Sequence, residues 1–452
     1  MSLLINLFAA VWTRLVLFGE GLAGLAGLAG AAAASLMGGQ GSLASRFGAA
    51  AATPLGLRRA FAVLRAFQPN LLLSRKLVTA YDNSGTAVVS RFEDVVDVLS
   101  RDGEFEVVYG PRMEMITGGA NFFLGMQNTP QYTRDVANMR LAVRRDDVTA
   151  AVVPFVAQRA AQIVAAAPGR IDVPLELTLP VPAQLLGTYF GTPGPSQAQV
   201  VDWTTTLFWY LFIDLNADPG LDAKAVAAAA GLRTYLDQAV AARKAAPTGA
   251  DDVLNRCLGM QGAGLPGMSD LDIRNNLIGL IIGEVPTTSK AAVQALGQLM
   301  DRPAALAEAQ AAARAGDDAG LAACVFEALR FNPVNPLIYR RAVVDTVIAA
   351  NTPRARKVAK GTMVMASNLS AMFDPERLTT PGAFRTDRPW SDYILWGYGL
   401  HTCFGAYINR AVLPALLKPL LQRPNLRRAV GAAGRIDLAG TPFPAHLTLE
   451  FD

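Results

Sequence analysis

The stretch Trp396 to Arg410, WGYGLHTCFGAYINR, sets a single cysteine, Cys403, among glycines at 397, 399 and 405 and ahead of an apolar, helix-like run. Glycine admits positive φ and lets the backbone approach a flat ligand, while amides turned toward the sulfur stabilise its charge and tune a bound metal. A helix starting near Phe404 would put its positive end beside the sulfur and lower the thiol pKa. The chemistry this loop could do is thiolate ligation of a metal; a buried structural cysteine in a Gly-rich turn is the competing reading. Glu327 and Arg330, three apart in a helical stretch, share one helix face, a spacing also common on ordinary surfaces. The two histidines, His401 and His446, with no CxxC pair beside them, cannot assemble a His-rich zinc or non-haem iron site. Any metal must therefore arrive in a cofactor.

The cysteine segment resembles the haem-binding loop of the cytochrome P450 family, Phe-x-x-Gly-x-His/Arg-x-Cys-x-Gly. Gly399, His401, Cys403 and Gly405 match it in register, and Trp396 stands where the family has Phe. The resemblance implies haem b (iron protoporphyrin IX) with Cys403 as axial ligand, His401 against a propionate and Trp396 walling the proximal side. Glu327 and Arg330 are similar to the family's K-helix pair, which clamps the haem pocket from behind without catalysing anything. Arg340, in Tyr339-Arg340-Arg341-Ala342, matches the Arg-x-Ala strand whose arginine binds a propionate. The run Ser370 to Glu376 resembles the family's Asn-Arg-Asp-Pro turn with Asp374 and Pro375 retained; Phe384 and Arg388 fall in the following meander, with Ala383 where an arginine is usual.

Two departures from the family pattern bear on mechanism. The C-helix pattern Pro-x-His-x-x-x-Arg reads Pro130-Gln131-Tyr132, with Val136 in place of Arg. Tyr132 can still donate one hydrogen bond, and Arg134 or Arg140 are the candidates to compensate. The I-helix pattern Ala-Gly-x-Asp/Glu-Thr-Thr keeps Thr287 and Thr288 but has Pro286 in the acid's place and Glu284 two residues earlier. Glu284 is i−3 to Thr287 and i−4 to Thr288, so its carboxylate can share their face, while Pro286 opens the helix near Ile282. These three residues either deliver protons to dioxygen or only line the pocket.

The family resemblance implies an oxidoreductase, a haem-thiolate monooxygenase that inserts one atom of dioxygen into a lipophilic small molecule. Its electrons would come from a separate partner such as ferredoxin with its reductase. By family analogy the pocket would draw on 113–124, 207–212, 335–338 and 442–444, which are apolar and aromatic. The alternative is a peroxide-using or hydroperoxide-rearranging haem-thiolate enzyme, since such relatives dispense with the acid and alcohol altered here. A non-catalytic haem sensor or carrier is the third reading.

The elements that must position these residues follow from periodicity. Ala- and Leu-rich helical segments are expected at 151–167, 195–214, 222–245, 269–300, 303–314 and 318–331, and strands at 339–349, 362–366 and 446–451. A hairpin is expected over 77–90 across Asn83-Ser84-Gly85, with Ser90 and Glu93 as a capping box for the next helix. The class is mainly α with small β-sheets, which the resemblance makes a P450 fold, a triangular helical body enclosing haem. Hydrophobic residues at 52% and charged residues at 17% supply a large core, and 41 basic against 37 acidic residues leave no nucleic-acid footprint. Three separated cysteines suit a reducing compartment. Residues 51–452 are read as the catalytic domain. Residues 1–50, with a Gly/Leu/Ala tract at 21–39, are read as a surface-lying anchor or flexible leader, because Gly and Ala contribute little transfer energy and hold a helix poorly. Localisation is thus expected to be cytoplasmic, with peripheral membrane contact through this segment.

Overall fold

Gly85–Val89 and Thr362–Ala366 are short runs of small, β-branched and thioether residues, buried at every position. Continuous burial of that kind belongs to strands covered on both faces. They pair in parallel, Gly85 opposite Thr362 through Val89 opposite Ala366, at the centre of a five-stranded sheet. Asn70–Leu73 flanks the first antiparallel, and Ile338–Ala342 with Phe105–Glu106 extends the second. The structure, a computed structural model, describes residues 2–36, 42–120 and 122–452. It divides into two compact units: residues 1–78, 82–106 and 330–402 form the first, and 79–81, 107–329 and 403–452 the second.

In the first unit the expected hairpin exists with a different first arm. The partner of Gly85–Val89 is Asn70–Leu73, and 77–84 is a loop. The loop's amides have local takers: Leu77 donates to Thr86 Oγ1 at 3.0 Å, and Asn83 Nδ2 donates to the Val78 carbonyl at 2.6 Å. Ser90 does not cap the next helix either, since its hydroxyl donates to the Pro69 carbonyl at 3.0 Å. Helix Phe92–Ser100 is capped from far along the chain, by the Asp374 carboxylate accepting the Phe92 N–H at 3.0 Å. The same carboxylate lies 3.0 Å from Arg91 Nε, and both side chains are 3% exposed.

The described part of the Gly/Leu/Ala tract lies within one helix, Ser2–Leu36, which corrects the expectation of a poor helix former; 37–39 lie outside the described residues. Gly21, Gly24 and Gly27 face helix Pro54–Phe67: a β-carbon on Gly21 would lie 2.5 Å from Ala66 Cβ, and one on Gly24 2.7 Å from the Arg59 carbonyl. Each glycine costs a helix about 1 kcal/mol relative to alanine, but here it permits backbone-close packing that a larger residue would block. Phe18 meets Phe67 edge-on at 5.0 Å, and Glu20 pairs with the buried Arg65 at 3.4 Å. Val11, Trp12, Leu15, Leu22 and Leu25 are exposed.

The second unit is built on helix Asp270–Met300, closed at its start by a reciprocal capping box between Ser269 and Asp272. It packs against Gln197–Phe208, Pro219–Ala245 and Ala406–Leu421, and the last of these also packs on Val153–Ala166. A small sheet joins Arg170–Asp172, Thr448–Glu450 and Arg427–Arg428. Two arginines here have dedicated partners: Arg112 Nη2 donates to Asp214 at 2.8 Å, and Arg256 Nη2 to Asp147 at 3.1 Å. The expected helices from 151 onward all form with small shifts at their ends.

Asp374→Ala should remove the counter-ion of a buried arginine together with a helix cap. A loss of about 3–5 kcal/mol is expected, read as a lowered urea midpoint; an unchanged midpoint would deny Asp374 this structural role.

Candidate active site

Gly397 and Gly399 lie in the left-handed region, at φ +81° and +71°, and a β-carbon on Gly399 would stand 2.7 Å from the Leu99 carbonyl. Both the dihedral and the close approach demand glycine there. Gly405 differs from the expectation: its φ is −82°, which any residue adopts, and a β-carbon there would lie 4.0 Å from Cys403 Sγ, an ordinary contact. Trp396 packs on Trp390 with ring centroids 5.6 Å apart.

Cys403 precedes helix Ala406–Leu421 and its carbonyl accepts the Ala406 N–H at 3.2 Å. Burial pushes its thiol above the ordinary value, outweighing the Gly405 and Ala406 amides and Arg140, while the nearby Glu284 adds to the rise. The expectation of a lowered thiol pKa is therefore corrected: two amides do not offset the loss of water around a lone sulfur. A metal cation at the sulfur reverses that balance. Among the described residues no cluster of three or more His, Cys, Asp or Glu side chains could hold a metal ion. One cysteine with two amides turned to its sulfur, outside any such cluster, is a donor set that fits a metal bringing its other ligands with it, as haem does.

Arg140 does not stand free to replace the missing C-helix arginine. Its Nη1 donates to the Phe404 carbonyl at 2.8 Å and its guanidinium lies 3.7 Å from the Phe404 ring centroid. It supports the loop just after the cysteine, a role visible only once the two segments are in contact. Arg134 pairs with Asp135 at 2.8 Å. Tyr132, buried, sits in the first turn of helix Pro130–Ala142, where its N–H donates to the capping Thr129.

In the first unit Arg340 and His401 are both buried from solvent at their side chains. Burial and the positive charge of Arg340 push His401 down to about 4, and its Nε2 lies 3.6 Å from Asp102 Oδ1. The cationic Arg340 beside a neutral His401 offers one charged and one uncharged N–H donor, a set that suits a haem propionate. Arg330, fully buried, donates to the Met372 carbonyl at 2.9 Å and the Ala383 carbonyl at 3.1 Å. It thus holds the meander that leads to the cysteine loop. Glu327, equally buried, lies one turn earlier on helix Asp318–Phe331.

On the long helix, Asp270–Met300 runs unbroken through Pro286. Thr287 donates to the Gly283 carbonyl, and Thr288 donates to Asn409 Oδ1 at 3.2 Å. Asn409, which sequence reasoning missed, ties this helix to the one after the cysteine; an amide in an otherwise apolar helical run was its only signal. Glu284 does not hydrogen-bond to either threonine in spite of the shared face. Its Oε1 is buried without a hydrogen-bond partner among the described residues, and burial pushes its carboxyl up to about 7. A β-carbon on Gly283 would meet nothing within 4 Å, so the helix borders open space there.

The cytochrome P450 family model matches residues 197–428, just over half of the chain. Cyclomarin C epoxidase CymV of Salinispora arenicola is 26% identical over 322 residues, covering 70% of this chain and 77% of that protein. Linoleate diol synthase of Gaeumannomyces graminis is 37% identical over 87 residues, but these make up 19% of this chain and only 8% of that protein. The crystal structure of CYP109E1 from Bacillus megaterium in complex with testosterone has a TM-score of 0.74 at 19% identity, covering 88% of this chain and 98% of that one. The thiol loop, the helical architecture and the matched family model agree: the chain belongs to the cytochrome P450 family, as an oxidoreductase of the monooxygenase kind.

Proposed function

We propose that this P450 binds haem b and inserts one atom of dioxygen into a lipophilic small molecule, using electrons from a separate carrier such as ferredoxin with its reductase. The observation that carries this reading is Cys403, one thiol with the Gly405 and Ala406 amides turned to it and, among the described residues, in no cluster of three or more metal-ligating side chains. Bound there, haem supplies the activation of oxygen that the protein's own side chains cannot. Cys403 would hold it through its sulfur, with Trp396, Gly399 and Gly405 shaping the loop. Arg340 and His401 would pair with its propionates and Tyr132 would add one donor. Glu327 and Arg330 hold the surrounding backbone. Linoleate, in the name of the briefly aligning relative, is of the lipophilic class. Residues 51–452 form the catalytic domain in the cytoplasm, and the exposed stripe from Val11 to Leu25 supports peripheral contact of the N-terminal helix with a lipid surface.

Glu284 is the proton carrier in this reading. A carboxyl poised at about 7 both holds and gives up its proton at neutral pH. Thr288 is fixed by Asn409 and Thr287 by the Gly283 carbonyl, so the threonines position oxygen and Glu284 moves the proton. The loss of the usual acid to Pro286 favours peroxide as the second reading, because a peroxide-driven reaction needs less proton delivery from the protein.

Reduced protein with carbon monoxide is expected to show the red-shifted Soret band of thiolate ligation, and Cys403→Ser to lose it; an imidazole-type band would overturn the assignment. Glu284→Gln should slow dioxygen-driven turnover by roughly 10²-fold while sparing turnover with hydrogen peroxide, and equal effects on both would remove Glu284 from proton delivery.

The same variant tests the burial itself. Because folding raises the carboxyl from 4.5 to about 7, the folded chain holds this proton more tightly than the unfolded one. Stability is therefore fullest below 4.5, declines as pH rises toward about 7, and stays penalised above it. Glu284→Gln should stabilise the protein at pH ~8 by something of order 3 kcal/mol and change little at pH ~4, as read from urea midpoints at the two pH values.

A further inference from the structure

Lys290, on the long helix, has a role in none of the chemistry above. Its side chain is buried, 8% exposed, and among the described residues it makes no ion pair or hydrogen bond. Its one close partner is the ring of Phe443, whose centroid lies 5.4 Å from Nζ. A ring face returns only a fraction of what an ammonium loses on leaving water. Burial accordingly pushes Lys290 down to about 8, which still leaves it protonated at neutral pH. The position four residues back, from which a carboxylate would reach it along the helix, is Pro286.

The surroundings have the character of a ligand pocket. Gly283, Thr287 and Lys290 fall at i, i+4 and i+7 and so lie on one helix face, and at Gly283 that face borders open space. Phe443 stands edge-on to Phe208 at 6.0 Å, Phe208 lies 4.6 Å from Phe212, and Phe212 4.7 Å from Tyr109. An apolar aromatic wall thus leads away from a single buried cation that has no internal counter-ion.

We infer that Lys290 receives the carboxylate of the substrate, and that the substrate is a lipophilic carboxylic acid whose chain lies along the Phe443–Phe208–Phe212 wall. Lys290 sits seven residues beyond Gly283, roughly 10 Å along the helix axis. The part of the chain beside Gly283 and Thr287 is therefore remote from the acid head, and the acid is of medium or long chain. This assignment rests on the oxygenase reading above and names the substrate class for it.

The test is calorimetric binding of dodecanoate and of dodecan-1-ol, below their aggregation limits, to the haem-loaded protein. The native chain should bind the acid at least about tenfold more tightly than the alcohol. Lys290→Met should abolish that preference by weakening the acid and leaving the alcohol unchanged, while Lys290→Arg keeps it. Pro286→Glu, which removes a proline from a helix and offers Lys290 an internal partner, should abolish it too. No preference in the native chain, or its survival in Lys290→Met, overturns the proposal; if Lys290→Met does not fold, the native comparison and Pro286→Glu decide it. A thiolate-type carbon monoxide spectrum without acid preference refutes Lys290 alone, whereas loss of that spectrum in the native chain refutes the oxygenase reading.

Discussion

A charge taken out of water has to be given new partners by the protein, and this fold is organised around meeting that demand almost everywhere. Arg91 and Asp374 neutralise each other in the first unit and cap a helix in the same contact. Arg330 spends its guanidinium on two carbonyls of the meander. In the second unit Arg112 and Arg256 have Asp214 and Asp147. Such pairs add little net stability relative to apolar packing, but removing one partner is severe. They act as pins that fix which loops lie where.

Against that background, two charged side chains of the long helix stand apart. Glu284 keeps an oxygen without a hydrogen bond and Lys290 has only an aromatic ring. Both have pKa values moved toward neutrality by burial alone. Among the described residues neither has an ion pair that offsets its loss of water. Perturbed, unpartnered groups beside open space are where ligand and proton chemistry concentrates.

Much of this was legible in the chain and some was not, for reasons that separate local from distant information. The helices from 151 to 331 declare themselves by periodicity and by caps such as Ser269 with Asp272, which lie within a few residues of each other. The loop around Cys403 declares itself because left-handed φ at Gly397 and Gly399 restricts residue type. By contrast, the cap of helix Phe92–Ser100 comes from Asp374. The glycine tract is a helix because Pro54–Phe67 fits against it, and Arg140 is absorbed by Phe404. Each of these depends on a partner more than 25 residues away, which neither propensity nor spacing encodes. Asn409 was missed for the same reason, since its meaning is Thr288.

The altered acid of the long helix makes the last step of the case. Moving a carboxylate from position 286 to 284 is not a small shift, because two residues along a helix are roughly 200° around it. Glu284 lies in line with Thr288, over the helix that follows Cys403, whereas position 286 lies in line with Lys290. An acid at 286 would have formed an i, i+4 pair with that lysine and quenched it. With proline there instead, the acid and the cation stand six residues apart and roughly 120° from each other around one helix. Neither is paired with the other, which is the arrangement the proposed roles of Glu284 in proton exchange and Lys290 in anion binding require. Proline at 286 and the unpaired lysine at 290 thus belong together: on the inference drawn above, the helix carries an anion receptor beside its acid and alcohols.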